Sequence, residues 1–154
     1  MQIFRRATEA DIENIAKLEA EVFSDAWTAQ SIAETFSQKQ TFLVVAEVDG
    51  VVEGYCIIYY VLDEAEIARI AVSENVRRLG LGRGILDTVS KWCVENQIEK
   101  LLLDVRESNV GAIAFYKGYG FEEDGLRKNF YEMPKEHAVL MSKCIIQRFP
   151  LGTL

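Results

Sequence analysis

The spacing of hydrophobic and polar positions changes several times along the chain, and each change predicts a new structural element. Apolar side chains recur with a helical period over residues 8–23, and a second short helical pattern starts at Thr28. Thr8 and Asp11 come close to the capping-box pattern that marks a helix start. A short β-rich run at residues 2–6 precedes them. This part of the chain is therefore predicted to form a strand followed by two helices.

Runs rich in Val, Ile, Phe and Tyr follow at residues 41–48 and 51–62. They are separated by Asp49-Gly50, and Asp-Gly between two β-rich runs favours a type I′ hairpin turn. A third run at residues 65–72 predicts a strand that pairs antiparallel with the second. The pattern thus predicts three consecutive antiparallel strands.

The second half of the chain alternates helical and strand patterns. The predicted elements are a helix from the glycine-rich segment to about residue 96, a strand at 100–106, a helix at 109–119 capped by Gly120, and strands at 121–128 and 137–146. Strands and helices in this order predict an α/β domain, of the α+β kind, built on a mixed sheet. One domain over residues 1–148 and a loose tail over 149–154 are expected.

Length and charge limit the functions that the chain can have. It has 154 residues, which suits one domain, and 17 basic against 24 acidic residues give a formal net charge of −7. A net acidic chain is poorly suited to binding a phosphate backbone, which needs clustered Lys and Arg. We therefore expect no direct nucleic-acid partner, and a basic partner fits better. A monomer or weak dimer is expected.

Cysteine, histidine and apolar patterns bear on the compartment and on metal chemistry. Cys56, Cys93 and Cys144 are widely spaced, which argues against a disulfide framework or a zinc site and for buried free thiols in a reducing compartment. The lone His137 is expected to be structural or exposed, so no metal site is predicted. There is no signal peptide pattern and no apolar run long enough to span a membrane, so a cytoplasmic protein is expected.

The segment Arg77-Arg78-Leu79-Gly80-Leu81-Gly82-Arg83-Gly84 lies between a predicted strand and a predicted helix. Glycines allow close backbone approach to a ligand, and the free N–H groups of a helix start favour an anion. The segment predicts a pyrophosphate-binding loop, with a glycine-rich turn carrying solvated arginines as the alternative. A Walker A loop would end in Gly-Lys-Ser/Thr, and the dinucleotide fingerprint would need glycine at Ile85, so nucleoside triphosphates and NAD fit poorly.

These residues resemble those of a known enzyme superfamily. Arg77-x-x-Gly80-x-Gly82 resembles the Q/R-x-x-G-x-G/A signature of the GNAT superfamily of acetyl-CoA-dependent N-acetyltransferases. Within it, the chain is similar to the bacterial ribosomal-protein alanine N-acetyltransferases over most of residues 1–146. The resemblance implies the GNAT fold, a mixed and mostly antiparallel central sheet that is splayed at the acetyl-CoA site and flanked by helices. The segments that carry it are Ile70-Ala71-Val72, Arg78–Arg83, Leu103–Asn109, Ala112–Tyr116, Gly120-Phe121 and Arg127–Tyr131.

The resemblance also implies where acetyl-CoA, the co-substrate, is held. Backbone groups of Ile70 to Val72 would hold the pantetheine arm and the acetyl carbonyl, and N–H groups of Leu79 to Gly84 would surround the pyrophosphate. Asn109 contacts the cofactor in relatives, and from the sequence it is equally an N-cap. The residues expected to bind acetyl-CoA are Ile70, Ala71, Val72, Arg77, Arg78, Leu79, Gly80, Leu81, Gly82, Arg83, Gly84, Asn109 and Tyr116.

The resemblance implies direct attack of an amine on acetyl-CoA in a ternary complex, without a covalent enzyme intermediate. In the family, a carboxylate on the strand after the glycine helix is the base and a tyrosine on the next helix is the acid. Here these are Asp104 and Tyr116. Close relatives have glutamate at the first position, so Asp104 departs from their pattern, and Glu66 or Glu107 could share its task. Alternatively, Asp104 pairs with Arg106 on the same strand face and Tyr116 is a core aromatic.

The resemblance implies an acceptor as well, the N-terminal alanine of small-subunit ribosomal protein eighteen, whose basic N-terminal segment suits an acidic enzyme. Trp27 and Tyr131 would line the acceptor groove, or else serve as packing residues. Two alternatives stay open. One is acetylation of another amine, such as a lysine side chain, a polyamine or an aminoglycoside, and the other is an acetyl-CoA-binding module without turnover.

Overall fold

The computed structural model describes residues 1–77 and 79–146. Within them the order of helices and strands, and with it the predicted mixed α/β fold class, is confirmed. The predicted tail, residues 149–154, lies outside the described residues. The elements are β1 (Gln2–Arg6), α1 (Ile12–Val22), α2 (Ala29–Ser37), β2 (Thr41–Val48), β3 (Val51–Val61), β4 (Glu64–Val72), α3 (Leu81–Glu95), β5 (Lys100–Arg106), α4 (Val110–Tyr119), β6 (Glu122–Tyr131) and β7 (Glu136–Cys144).

The chain divides into two compact units. Unit 1 consists of Met1–Tyr60 with Glu66–Val89, and unit 2 of Val61–Ala65 with Ser90–Leu154. In unit 1 the strands follow the order β1-β2-β3-β4, and in unit 2 the order is β5-β7-β6. β2 pairs antiparallel with β1 and β3, and β7 pairs antiparallel with β5 and β6. The strands are therefore mostly antiparallel, as predicted.

Local sequence signals determine several ends of the elements in unit 1. Asp49 and Gly50, between β2 and β3, both have positive φ, 50° and 84°, as the predicted type I′ turn requires. α2 begins after Thr28, whose Oγ1 accepts a hydrogen bond from the Ser31 N–H at 3.1 Å. The predicted hairpin and the predicted helix start are both confirmed.

The start of α1 differs from the prediction. Residues 9–11 form a 3₁₀ turn, and the α-helix begins only at Ile12. The Asp11 carboxylate accepts from the Thr8 N–H at 2.7 Å and from both terminal nitrogens of Arg5, at 2.8 and 2.9 Å. The bonds from Arg5 hold the pKa of Asp11 below its ordinary value. Asp11 thus ties the first turn to β1, and this stabilisation is lost as the pH falls through the lowered pKa.

The core of unit 1 is formed by buried apolar side chains from β2–β4, α1 and α2, together with Ala7 after β1. Phe23 and Trp27, in the connection between α1 and α2, pack partly buried against this core. Its buried members are Ala7, Ile15, Leu18, Ile32, Leu43, Val45, Tyr55, Ile57 and Ala71.

In unit 2, β5 is buried on one face only. Leu101, Leu103 and Val105 are at most 6% exposed, whereas the alternate residues, Asp104 among them, are partly exposed. The three consecutive leucines of β5 conceal this alternation in the sequence. The register places Leu103 opposite Met141 of β7. β6 differs from the prediction in extending to Tyr131, and it is exposed over most of its length.

Two of the three cysteines are buried, as predicted. Cys56 and Cys93 are buried, and burial raises the pKa of the Cys93 thiol to about 12. Cys144 is exposed, and the expectation that it would be buried is wrong, because it is the last residue of β7. None of the described helices is long and apolar enough to cross a membrane.

Candidate active site

The glycine-rich segment of unit 1 forms the start of α3. After β4 the chain makes a 3₁₀ turn over Glu74–Val76. Gly80 then has a φ of +78°, and an added Cβ there would meet no atom within 4 Å, so the backbone conformation alone favours glycine. α3 begins at Leu81, and the Gly84 N–H donates to Gly80 O at 3.0 Å. N–H groups at the start of an α-helix generally have no acceptor one turn back, and such groups favour an anion.

The predicted pyrophosphate-binding residues differ in exposure. Arg77, Leu79, Gly80 and Arg83 are exposed, whereas Leu81 is only 2% exposed. One buried apolar side chain therefore anchors the helix start, and the exposed arginines add positive charge beside it. Arg78, predicted to act with them, lies outside the described residues.

β1 supports the glycine-rich segment, which the sequence analysis missed. Gln2 Nε2 donates to Leu79 O at 2.9 Å, across 77 residues of sequence. A Cβ at Gly84 would lie 2.1 Å from Phe4 Cζ, so the Phe4 ring occupies the space that a side chain would need. Gly84 thus has a packing reason to be glycine, beside its predicted role in binding acetyl-CoA.

The predicted pantetheine-binding residues are the last three of β4. Ala71 is 6% exposed, and Ile70 and Val72 are partly exposed. Gly54 of β3 packs closely here, since an added Cβ would lie 3.0 Å from Ile85 Cδ1 and 3.3 Å from Ala71 O. The end of β4 is therefore fixed against β3 and α3 within the same unit.

In unit 2 the alternative pairing of Asp104 with Arg106 is not found among the described residues. Both side chains lie on the partly exposed face of β5. The Arg106 guanidinium, however, pairs with Glu136 Oε1 at 3.2 Å and donates to two backbone carbonyls between β6 and β7, at 3.0 and 3.2 Å. Because β7 lies beside β5, its Glu136 carboxylate comes closer to Arg106 than the side chain two residues along the same strand.

Glu136 also organises the turn that follows β5. Its Oε2 accepts from the Ser108 N–H at 2.6 Å. Hydrogen bonds from Ser108, together with Arg106, hold the pKa of Glu136 below its ordinary value. The turn leads to Asn109, whose Oδ1 accepts from the Ala112 N–H at 3.1 Å. The N-cap role of Asn109 is confirmed, and its contact with acetyl-CoA stays a prediction.

The predicted acid Tyr116 is placed by the end of α4. Gly120 has a φ of +113° and its N–H donates to Lys117 O at 3.0 Å, while the Phe121 N–H donates to Tyr116 O at 2.9 Å. These bonds form a Schellman motif, so the predicted C-cap is confirmed. The Tyr116 and Phe121 rings meet edge-on with centroids 5.5 Å apart, and Tyr116 is 8% exposed. Tyr116 is thus a core aromatic with a fixed ring, and the role of its hydroxyl stays a prediction.

Trp27 and Tyr131, predicted to line the acceptor groove, both make packing contacts. The backbone N–H of Trp27 donates to Glu19 Oε2 at 2.7 Å, and the indole side chain packs against the core of unit 1. In unit 2, the Arg106 guanidinium lies 4.4 Å from the centroid of the Tyr131 ring. Both residues are partly exposed, so packing leaves part of each side chain accessible to an acceptor.

The sequence analysis missed three charged residues: Glu19 and Glu136, which accept from the backbone of Trp27 and Ser108, and Arg69, which donates to Asp25 O at 3.0 Å. A signal was available for Glu19, which lies four residues after the buried Ile15 and therefore on the apolar face of α1. Arg69 lies in a β-rich run and Glu136 directly before one, and nothing in the local pattern distinguishes them from surface charges.

The remaining candidates are placed as follows. His137 Nδ1 accepts from the Asn129 N–H at 2.9 Å, which confirms a structural role. Glu66 and Glu107, the alternatives to Asp104 as base, are both exposed. Across residues 1–77 and 79–146, no group of three or more His, Cys, Asp and Glu side chains is arranged to hold a metal ion.

Comparison with known proteins identifies relatives along most of the chain. Residues 10–121 match the acetyltransferase (GNAT) family. A Bacillus subtilis protein provisionally named ribosomal protein bS18-alanine N-acetyltransferase is 35% identical over 85% of this chain and 87% of its own. The Escherichia coli K12 ribosomal protein bS18-alanine N-acetyltransferase is 31% identical over 75% of this chain and 79% of its own.

Solved structures agree with these matches. The ribosomal-protein-S18-alanine N-acetyltransferase of Escherichia coli superposes with a TM-score of 0.91 at 26% identity, and the match covers all of both chains. Ard1 from Thermoplasma volcanium superposes with a TM-score of 0.87 at 28% identity, over 95% of this chain and 99% of that one. GNAT acetyltransferases use acetyl-CoA as the acetyl donor. Fold, family match and relatives thus agree, and the chain belongs to the acetyltransferase (GNAT) family of acetyl-transferring enzymes.

Proposed function

We propose that the protein transfers an acetyl group from acetyl-CoA to the N-terminal alanine of ribosomal protein bS18. The observation that carries this proposal is the identity of 31–35% to bacterial relatives named for that reaction, over 75–85% of the chain. The net charge of −7 also suits an acceptor with a basic N-terminal segment.

In the proposed binding mode, acetyl-CoA is held mainly by backbone groups of unit 1. The N–H groups at the start of α3, beside exposed arginines, would bind the pyrophosphate. The end of β4, Ile70 to Val72, would offer backbone hydrogen bonds to the pantetheine arm, as an edge strand does to an extended peptide. Asn109, whose side-chain oxygen caps α4, is a further predicted contact of acetyl-CoA.

The proposed reaction is direct transfer within a ternary complex. The acceptor amine attacks the thioester carbon, a C–N bond forms, and the C–S bond breaks. Asp104 takes the proton that the amine loses, through a water, and the Tyr116 hydroxyl gives a proton to the departing thiolate. An N-terminal amine has a pKa of about 7.7–8.0, so it needs only modest help to become neutral. Both buried thiols, Cys56 and Cys93, are inert in this scheme.

The acceptor is tested with three amines and acetyl-CoA, read by mass spectrometry. The first is the N-terminal peptide of bS18, the second is the same peptide with its N-terminus blocked, and the third is spermidine. We expect one acetyl group on the N-terminal alanine of the first peptide and none on the others. Acetylation of the blocked peptide or of spermidine would assign another amine. Acetyl-CoA binding without thiol release on any amine would assign a non-catalytic module.

Gly82→Val tests the pyrophosphate assignment. A branched side chain in the first turn of α3 would crowd the N–H groups, so we expect acetyl-CoA affinity to fall at least about tenfold, or about 1.4 kcal/mol. Titration calorimetry measures this change. Gly118→Val is the matched control, since it makes the same substitution on the exposed side of α4, where an added Cβ meets no atom within 4 Å. A folded Gly82→Val protein with the affinity of this control would contradict the assignment.

A further inference from the structure

Unit 1 contains a buried carboxylate with four hydrogen-bond donors. Glu19 of α1 has a fully buried side chain. Arg69 Nε donates to Oε1 at 3.0 Å and Arg69 Nη2 to Oε2 at 3.2 Å. The Tyr55 hydroxyl also donates to Oε1, and the backbone N–H of Trp27 donates to Oε2 at 2.7 Å. Both oxygens of this carboxylate thus accept two hydrogen bonds each, and one of the four donors is a backbone N–H of the α1–α2 connection.

Arg69 holds the same connection from its other side. We call the residues between α1 and α2, Phe23–Thr28, the Trp27 loop. Arg69 Nη2 also donates to Asp25 O at 3.0 Å. Its guanidinium lies 4.1 Å from the centroid of the Phe23 ring and 5.4 Å from that of Trp27. The Arg69 side chain is only 13% exposed, so the loop closes over it.

Stability alone does not account for this arrangement. Removing two charges from water offsets most of their attraction, and apolar side chains of similar volume would fill a core equally well. A planar guanidinium with two parallel bonds to a carboxylate does supply direction, because the bonds to Glu19 fix its plane and so aim Nη2 at Asp25 O of the loop.

We propose that the Glu19–Arg69 ion pair positions the acceptor site, by holding the Trp27 loop so that Trp27 forms a wall for the N-terminal residues of the acceptor. The inference rests on the proposed function, because it assigns Trp27 to the acceptor. Glu19 and Arg69 act through the loop and touch no reacting atom, so they are positioning residues. The pair therefore affects capture of the acceptor and leaves acetyl-CoA binding unchanged.

The test is Arg69→Lys in a Trp92→Phe background. Trp27 and Trp92 are the two tryptophans of the chain, so Trp27 fluorescence then reports on the loop alone. Lysine keeps the charge but loses the fork of donors and the flat surface that stacks on rings. We expect the KM for the bS18 peptide to rise about fivefold or more, with kcat and acetyl-CoA Kd within about twofold of the unsubstituted background. Acrylamide quenching of Trp27 should rise about twofold, because a loosened loop exposes the indole.

Arg5→Lys in the same background is the matched control. Arg5 also donates two hydrogen bonds to a buried carboxylate of unit 1, that of Asp11, at 2.8 and 2.9 Å. Its hydrogen-bond partners among the described residues are Arg6, Asp11 and Glu47, all outside the Trp27 loop. We expect this variant to lower Tm about as much as Arg69→Lys does, with KM and quenching unchanged.

The outcomes separate the inference from the function on which it rests. If Arg69→Lys and Arg5→Lys show the same KM and the same quenching, the ion pair is merely structural and the inference is overturned. If the background protein acetylates no alanine-initiated peptide, the proposed function fails by itself. Quenching then decides the inference, because it needs no acceptor: a twofold rise supports the positioning role, and unchanged quenching overturns it.

Discussion

Replacement of Tyr116 by phenylalanine is expected to lower kcat by about 100-fold or more, with little change in acetyl-CoA affinity. The variant removes only the hydroxyl, which we assign as the proton donor to the departing thiolate. The ring contact with Phe121, at 5.5 Å between centroids, and the backbone bonds that end α4 do not involve the hydroxyl. Fold and cofactor binding should therefore persist while the chemical step slows. Steady-state kinetics measures kcat, and titration calorimetry with acetyl-CoA measures the affinity.

The matched control for this experiment is Tyr119→Phe. Tyr119 lies on the same helix, and its hydroxyl shares a hydrogen bond with Ser90 Oγ at 3.3 Å. Loss of that hydroxyl should lower Tm slightly and leave kcat within about twofold, since one neutral hydrogen bond contributes about 1 kcal/mol. Near-normal turnover of Tyr116→Phe would return Tyr116 to a packing role. Equal losses in both variants would attribute the effect to α4 rather than to a proton.

Asp104→Asn is expected to lower kcat/KM most strongly near pH 7, by about 100-fold, the usual contribution of a general base. The loss should shrink as the pH rises past the acceptor amine's own pKa, about 7.7–8.0, because the neutral amine then needs no base. Asp104→Glu should keep much of the activity, since glutamate extends the carboxylate by one methylene. The measurement is a pH–rate profile of each variant between pH 6 and about 9.

Melting curves and two further variants show whether Asp104 is structural and whether another carboxylate is the base. Because Arg106 pairs with Glu136, no ion pair of Asp104 with Arg106 is lost in Asp104→Asn, and Tm should change little. Glu66→Gln and Glu107→Gln test the exposed alternatives, and we expect both to keep their activity. A pH-independent loss in Asp104→Asn that follows Tm would show that Asp104 is structural. A pH-dependent loss in Glu66→Gln or Glu107→Gln would move the role of base there.

The sequence predicted those parts of the fold that are determined by interactions between residues close together in the chain. The hairpin at Asp49-Gly50, the N-cap Asn109 and the C-cap Gly120 each act on backbone groups within about four positions. Their residue types alone therefore indicated the structure. The same holds for Tyr116, since the cap that places it lies at the end of its own helix.

The contacts that the sequence did not predict join residues far apart in the chain. Glu19 and Arg69 are 50 positions apart, and Arg106 and Glu136 are 30 apart. Such pairs depend on strand register and on which elements become neighbours, neither of which a local pattern encodes. For Arg106 the local rule suggested the wrong partner, because it considered only the same strand. The roles of Asp104, Tyr116, Trp27 and Tyr131 in catalysis and acceptor binding stay predictions.

The Phe4 ring fills the space beside Gly84, and this contact has an evolutionary consequence. A methyl group at position 84 would lie 2.1 Å from Phe4 Cζ, so residue 84 cannot grow unless the Phe4 ring moves or becomes smaller. A lineage that acquires alanine at 84 needs a smaller residue at 4 first, or must accept a less stable intermediate. The two positions should therefore covary during divergence, although 79 residues lie between them in the sequence. Selection on the loop predicted to bind acetyl-CoA would thus extend to β1.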